Sequence, residues 1–561
     1  MIREYKFEIL LFIVYLLIAF VFTSPLVFKL NGSIYGVRGD HFVQLWESWW
    51  RKKALLSGES LTYTDLIYAP SGYDFSGSPI QPLPTILNLG LTLLTNEVLA
   101  LNILLLLSFP LSGLAIYLLV KRLTGNKLAS AFSGLVYAFS MYHFSHAWEH
   151  STLISIYWVP FYALGLVNLD GKKSVKSVIL AALAFALVLL DNFYYGYMMV
   201  FFSVFFFLFR WRSFFNRRGI KLLLLFSILC SLFVAPIVLP LLKGTGTAAV
   251  SYKRSEHDLN WFSARPWFYV LPSTKHPFLG NFSQKILDWI ATKPPYFLTQ
   301  PFAEKEHNLY LTWTALILSS VAVFRLLRSE PRSDTRRWVW TFFFLAIVMA
   351  IFSAPPYATI SLHKIYFPSH FLYKFFPMFR SYARFGVLVL LCVAVLGGIG
   401  LGYLLRRIKD SWLRYTLVVA LSIVVLFEVW LPPFNVDLTP PKAYLWLKDQ
   451  PGDFIVLEFP PRTDHSALLY QRVHGKRLFN PVCENPQDVL HAPEDQVSEQ
   501  ALLYRDIRER PEKFLELGVK YVIFHENDPF LPFDLGYFRE PQFKIVERSG
   551  DVVIYEIVSG E

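Results

Sequence analysis

Four short stretches of this sequence carry residue types that could do chemistry. The first is Gly36-Val-Arg-Gly-Asp40-His-Phe-Val-Gln-Leu-Trp46-Glu-Ser-Trp49-Trp50, where Asp40 is the only acid in residues 29–46. It follows the first apolar run, so its carboxylate is expected at the lipid–water boundary, where it could take the proton of an acceptor hydroxyl. Asp before an apolar-periodic run is equally a good helix N-cap. The second stretch is Met141-Tyr-His143-Phe-Ser-His146-Ala-Trp-Glu149-His150. Its histidines are three and four apart and would share one helix face, which suits a metal, an anion or a polar rim. His146-x-x-Glu149-His150 also has the inverted zincin pattern. The third is Asp191-Asn192 with Tyr194-Tyr195 between two apolar runs. An acid at membrane depth is costly and is either functional or part of a turn. The fourth is Phe379-Arg380-Ser-Tyr-Ala-Arg384-Phe385. Its guanidinium forks could hold phosphate oxygens or snorkel to headgroups.

The elements that must position these groups are apolar. A membrane helix needs about 20 mostly apolar residues. Runs near 8–28, 98–120, 127–142, 153–169, 177–191, 193–209, 221–242, 309–327, 338–354, 385–405 and 412–431 are the candidates, about eleven spans. Short basic loops (Lys121-Arg122, Lys172-Lys173, Arg210 to Arg218, Arg325 to Arg337, Arg406-Arg407) alternate with long mixed ones at 29–95, 243–308 and 354–384. The positive-inside rule puts the N-terminus in the cytoplasm and the long loops outside. Phe42, Trp46, Trp49 and Trp50 have helical spacing, as expected of a helix lying flat among lipid headgroups.

Composition agrees. Of 561 residues, 54% are hydrophobic, 17% aromatic and 17% charged. A soluble domain carries about 25% charged residues, so an integral membrane protein is indicated. Three cysteines build no disulfide framework, and Cys483 stands apart from Cys230 and Cys392. The net charge of +11 hides a division, because residues from Asp437 onward hold 14 basic and 22 acidic side chains. The basic excess lies in the loops flanking spans, which excludes a nucleic-acid face. There is no P-loop, and Gly244-Thr-Gly246 lacks the third glycine of a dinucleotide site. After Pro432-Pro433 the pattern changes to a short helix behind Pro440-Pro441 and strand-like runs at Phe454–Phe459, Tyr521–Phe524, Phe543–Glu547 and Val552–Ile557. The division expected is a multi-span domain over 1–431 and a small extracytoplasmic α/β domain over 432–561.

The chain resembles the C-type (GT-C) membrane glycosyltransferases, in particular their poorly characterised prokaryotic glycosyltransferase-like branch. The likeness rests on the Asp40 loop with Trp49-Trp50 and Pro70-Ser-Gly72, on Ala138-Phe-Ser-Met-Tyr-His-Phe-Ser-His146 through His150 and Trp158-Val-Pro160, and on Phe376-Pro-Met-Phe-Arg380 with Arg384-Phe385. It covers roughly residues 1–430. The resemblance implies a multi-pass cell-membrane enzyme of hexosyl- or pentosyltransferase type. Its donor would be a polyprenyl-phosphate sugar, and its acceptor a glycan, lipid or protein at the outer face. It also implies an acid in the first outer loop acting as base or metal-binding group, and Asp40 is the matching position. Relatives commonly pair acids there, whereas this chain has Asp40-His41. A divalent metal is the one cofactor left open. The site expected has Asp40 as base of an inverting transfer. Arg384, supported by Arg380, would hold the donor phosphate. His146, His150 and Asp191 would line the sugar or acceptor pocket. The competing readings are a transporter or flippase for a lipid-linked glycan, a metalloprotease on His146-x-x-Glu149-His150, and a non-catalytic GT-C-like scaffold.

Overall fold

A computed structural model describes residues 5–75, 81–242, 256–293, 304–327, 334–360, 363–460, 464–479, 507, 510–526, 538 and 541–558. Cys483 and the Gly244–Gly246 segment lie outside the described residues, as do parts of the loops at 243–308 and 325–337.

Apolar runs of helical length become the helices α1 Lys6–Phe22, α2 Asp40–Ser57, α3 Pro82–Leu94, α4 Glu97–Thr124, α5 Lys127–Ala138, α6 Met141–Glu149, α7 Trp158–Lys172, α8 Val175–Asp191, α9 Phe193–Phe209, α10 Arg217–Leu242, α11 Trp313–Leu327, α12 Asp334–Ser353, α13 Gly386–Arg407 and α14 Ser411–Glu428. Six segments are long and apolar enough to cross a membrane: Glu97–Thr124, Ser151–Lys172, Arg217–Pro236, Asp334–Ser353, Tyr382–Arg407 and Ser411–Glu428. The other expected spans fall on helices of 12 to 17 residues (α1, α5, α8, α9 and α11). Hydropathy marks such runs as apolar without saying whether each one crosses.

Helix α13 is the hub. It packs against α4, α5, α11 and α12. Its Gly400 lets the backbone of α11 come close, since a Cβ there would lie 2.0 Å from the Leu318 carbonyl oxygen. In contrast α10 and α14 leave Leu224, Ile228, Val419 and Ile423 exposed, the pattern of helices facing lipid.

The tail folds as the sequence pattern indicates. Behind a short strand β2 (Asn435–Asp437) and a helix α15 (Lys442–Asp449), it forms a five-stranded sheet. Its strands are β3 (Ile455–Phe459), β4 (Arg477–Leu478), β5 (Val519–His525), β6 (Phe543–Ser549) and β7 (Val552–Ile557), in the order β6-β7-β5-β3-β4. Strand β3 is parallel to β4 and β5, and the other pairs are antiparallel.

The tail does not stand apart from the first long loop. Strand β1 (Ser33–Tyr35) pairs with β2. Helix α16 (Ser466–His474) lies along α2. Ile34, Phe42 and Leu45 share one apolar cluster with Tyr444, Val456 and Ile523. The aromatic stripe of α2 is therefore turned inward. Phe42, Trp46 and Trp50 are each 1% exposed. Trp46 donates to Gln471 Oε1 at 2.6 Å. The expected burial among headgroups is replaced by burial against protein, because a full apolar face finds a folded partner there.

Candidate functional site

Asp40 is held by a backbone that only glycine tolerates on its approach. Gly36 has φ +113°, and a Cβ on it would lie 1.9 Å from the Trp148 carbonyl oxygen. Gly39 has φ +151° and faces the Glu149 side chain. The loop thus threads against the end of α6 before α2 begins. Gly39, not Asp40, is the N-cap, and Asp40 is the first helical residue. Its carboxylate is turned away from the helix end and accepts from His150 Nδ1 at 2.8 Å. The capping reading of Asp40 is therefore replaced.

His150 joins two halves of a charged network. On one side is Asp40. On the other, His150 Nε2 lies 3.6 Å from Glu306 Oε1, and His146 Nε2 lies 3.8 Å from Glu306 Oε2. Arg384 closes that side. Its Nη2 donates to Glu306 Oε1 at 2.5 Å, and its Nε reaches both oxygens at 3.1 Å. Its guanidinium stacks 4.4 Å from the Tyr194 ring. Burial by itself would raise the Glu306 carboxyl, but Arg384, His146 and His150 bring it down to about 2. Burial pushes His146 down to about 3 despite Glu306 beside it. For Asp40, desolvation works upward, while the His150 hydrogen bond and the charges of His150, His465 and His41 hold the carboxyl at about 2.

Asp40 also lines a cavity of about 330 Å³ between α2, α3, α4 and the turn after α6. Asp191, Glu47, Arg51, Gln81 and Ser151 line the same cavity. Asp191 is 1% exposed. Among the described residues no donor reaches either of its carboxylate oxygens at bonding geometry, with Ser155 and Trp158 the polar side chains beside it. Arg51 is paired with Glu47 at 2.7 Å and stacked over Trp50. Helix α3 supplies an apolar wall through Leu87 and Leu89, while its Ile86 and Leu94 are exposed.

The six expected site residues thus divide. Asp40, His150, His146 and Arg384 form one network, and Asp40 shares the cavity with Asp191. Arg380 stands aside, 4.0 Å from Asp258 Oδ2 and over the Phe262 ring. His143 leaves the group, because its ring is enclosed between Ala138 O at 2.7 Å and Ser108 Oγ at 2.9 Å. The zincin arrangement does not form, since α6 ends at Glu149 and His150 lies beyond it at φ −106°, ψ 70°. Among the described residues no group of three or more His, Cys, Asp or Glu converges as metal ligands. No step is assigned to a divalent cation.

Three residues of this region carry no local sequence signal. Glu306 lies in the long loop at 243–308, where only the neighbouring His307 hints at a polar site. Arg51 is concealed in the basic run Arg51-Lys52-Lys53, which resembles a membrane flank. His465 of the tail comes within 3.9 Å of Asp40 Oδ1.

Comparison with solved structures finds the same fold in two transferases. Arabinofuranosyltransferase AftD from Mycobacteria superposes with a TM-score of 0.59 at 12% identity, over 99% of this chain and 40% of that one. The oligosaccharyltransferase AglB from Archaeoglobus fulgidus, solved with an inhibitory peptide and a dolichol-phosphate, gives a TM-score of 0.51 at 13% identity. That match covers 93% of this chain and 70% of AglB. The chain thus spans less than half the length of AftD. No curated protein matches the sequence. The architecture is the GT-C membrane fold, as the sequence resemblance implies. Residues 60–428 match the family model described as Domain of unknown function (DUF6311), and the chain belongs to that family.

Proposed function

We propose that the chain is a membrane glycosyltransferase that moves a sugar from a polyprenyl-phosphate-linked donor to an acceptor at the outer face, with inversion. The observation that carries this reading is the joint placement of Asp40, Asp191 and Arg51 on one cavity with an apolar, outward-facing helix as its wall. A lipid tail could lie along α3 while its phosphate meets Arg51. Arg384 has its fork taken by Glu306, and its part is then to fix Glu306 and through it His150. Asp191 would accept from sugar or acceptor hydroxyls.

Asp40 is the base. It is ionised at any working pH, which is the form a base needs, and its low proton affinity is tolerable here. The acceptor O–H becomes acidic only as its oxygen bonds to the anomeric carbon, so the proton is transferred late. The departing phosphate is a stable anion and needs no general acid. The basic clusters Lys121-Arg122 and Arg406-Arg407 end α4 and α13. Arg384 sits just before the opposite end of α13, about 33 Å away for 22 residues at 1.5 Å each. This supports a cytoplasmic N-terminus, with the site and the tail outside.

The test is Asp40→Asn. The helix keeps its Gly39 cap, so folding should be unchanged. Transfer from a polyprenyl-phosphate sugar should fall by at least about 10²-fold, the low end for a positioned base. Near-wild-type transfer would remove Asp40 from the mechanism.

A further inference from the structure

We propose that His465, carried by the tail domain, is a positioning residue for Asp40, so that a docked tail domain completes the site. This rests on the transferase reading of Asp40. Two imidazoles flank its carboxylate. His150 Nδ1 takes Oδ2 at 2.8 Å, and His465 Nε2 stands 3.9 Å from Oδ1. The first belongs to the membrane domain and the second to the extramembrane sheet domain.

His465 is built to be there. It precedes α16 with φ +56° and ψ +20°, a left-handed conformation that is unfavourable for a non-glycine residue. Such strain persists where the surroundings over-determine it. The ring does not serve the helix, because His465 makes no side-chain cap hydrogen bond. The surroundings do fix it. Asp464 Oδ1 accepts from the Ser466 amide at 3.1 Å, and Asp464 faces Arg38 at 3.5 Å. Gln471 bridges Trp46 and the Leu66 carbonyl, each at 2.6 Å. Arg472 pairs with Glu97 at the start of α4. These contacts bolt α16 to α2 and α4, and the bolt sets where the imidazole points.

The consequence is a carboxylate hydrogen-bonded at one oxygen and faced by a second imidazole at the other. The charged and titratable groups around it are His41, His150 and His465, with Arg38–Asp464 beside His465 and Glu306 beyond His150. A second imidazole limits rotation of the carboxylate and favours its ionised form over the cavity.

The test uses the full-length protein in detergent. Asn is well tolerated in the left-handed region, so His465→Asn should keep the backbone. His465→Gly, which fits that φ without strain, carries the same readouts if the Asn variant folds poorly. Two quantities are measured: kcat and KM for a polyprenyl-phosphate sugar, and the pH midpoint of carbodiimide labelling at Asp40 by mass spectrometry. Carbodiimide labels the protonated acid. The expected result is kcat down by about tenfold with donor KM unchanged, within the loss that slight misplacement of a reacting group causes. The labelling midpoint should rise by about 0.7 pH unit, as for loss of one unit charge at about 4 Å in water. Unchanged kcat and an unchanged midpoint, in a preparation where Asp40→Asn is inactive, overturn the positioning role and leave the transferase standing. If Asp40→Asn is active, the transferase reading falls. The labelling midpoint then decides alone whether His465 holds Asp40.

Discussion

The two sides of His150 are built on opposite principles. Toward Arg384, Glu306 is chelated by Arg384 and approached by two imidazoles, with Glu306 and His146 buried and Arg384 and His150 only slightly exposed. Toward α3, the charges open on a cavity, and Asp191 is buried with Ser155 and Trp158 beside it and, among the described residues, no donor at full bonding geometry. Burying an unsatisfied carboxylate is costly, and a fold keeps such a group where a ligand completes it. On the proposed reading, the ion-paired side is framework and the side open to the cavity is where a substrate belongs. That contrast is open to direct attack.

The largest expected effect is on the framework side. Glu306→Ala leaves the Arg384 guanidinium buried without its counter-charge. Removing one partner of a buried ion pair costs about 3–5 kcal/mol. Thermal unfolding in detergent should show this loss, and part of it should return when Arg384→Met is added, because the orphaned charge is then gone. A Glu306→Ala protein of wild-type stability would mean that this side is no framework.

Acid should act on the same side with a defined sign. His146 is pushed by burial from 6.5 to about 3. Between those values the unfolded chain binds a proton that the folded chain refuses. Its contribution to stability is therefore whole above about pH 6.5 and shrinks as the pH falls toward 3, by up to about 1.4 kcal/mol per pH unit. His41, His143 and His307 are lowered in the same way, so the quantity to measure is a difference. Denaturant midpoints at pH 7 and pH 5 should separate less in His146→Gln than in the unaltered chain. Equal separation would show that His146 is solvated, and the closed side open.

How much of this arrangement the sequence discloses depends on whether a signal is local. Four of the five tail strands are legible as runs rich in Val, Ile and aromatics between polar breaks, while the two-residue β4 leaves no such run. Helix α2 was legible from the spacing of Phe42, Trp46, Trp49 and Trp50, but not the partner its aromatic face takes, since α16 lies over 400 positions along. Asp40 and Asp191 stood out as acids at the edge of apolar runs. Glu306 did not, because its meaning comes from Arg384, 78 positions away. His143 and His146 share a helix and differ only in what packs against each, which periodicity cannot tell. The left-handed turn at His465 follows from how the domain docks and leaves no mark in residue type.

The smallest stability effect belongs to the open side, and it discriminates best. Asp191→Asn replaces a buried, donor-poor carboxylate by a neutral amide of the same size. If Asp191 were framework, the change would break something and stability would fall. If the cavity is a substrate site, nothing in the empty protein depends on the carboxylate. Removing it relieves a desolvation penalty, a fraction of the 1–3 kcal/mol typical of unsatisfied buried groups, since a buried acid escapes part of that cost by taking up a proton. Stability should then be unchanged or higher by up to about 1 kcal/mol, while KM for donor or acceptor rises because a hydroxyl partner is lost. KM must rise while stability does not fall. A variant that is less stable with unaltered KM would place Asp191 on the framework side, and the division at His150 would no longer separate structure from function.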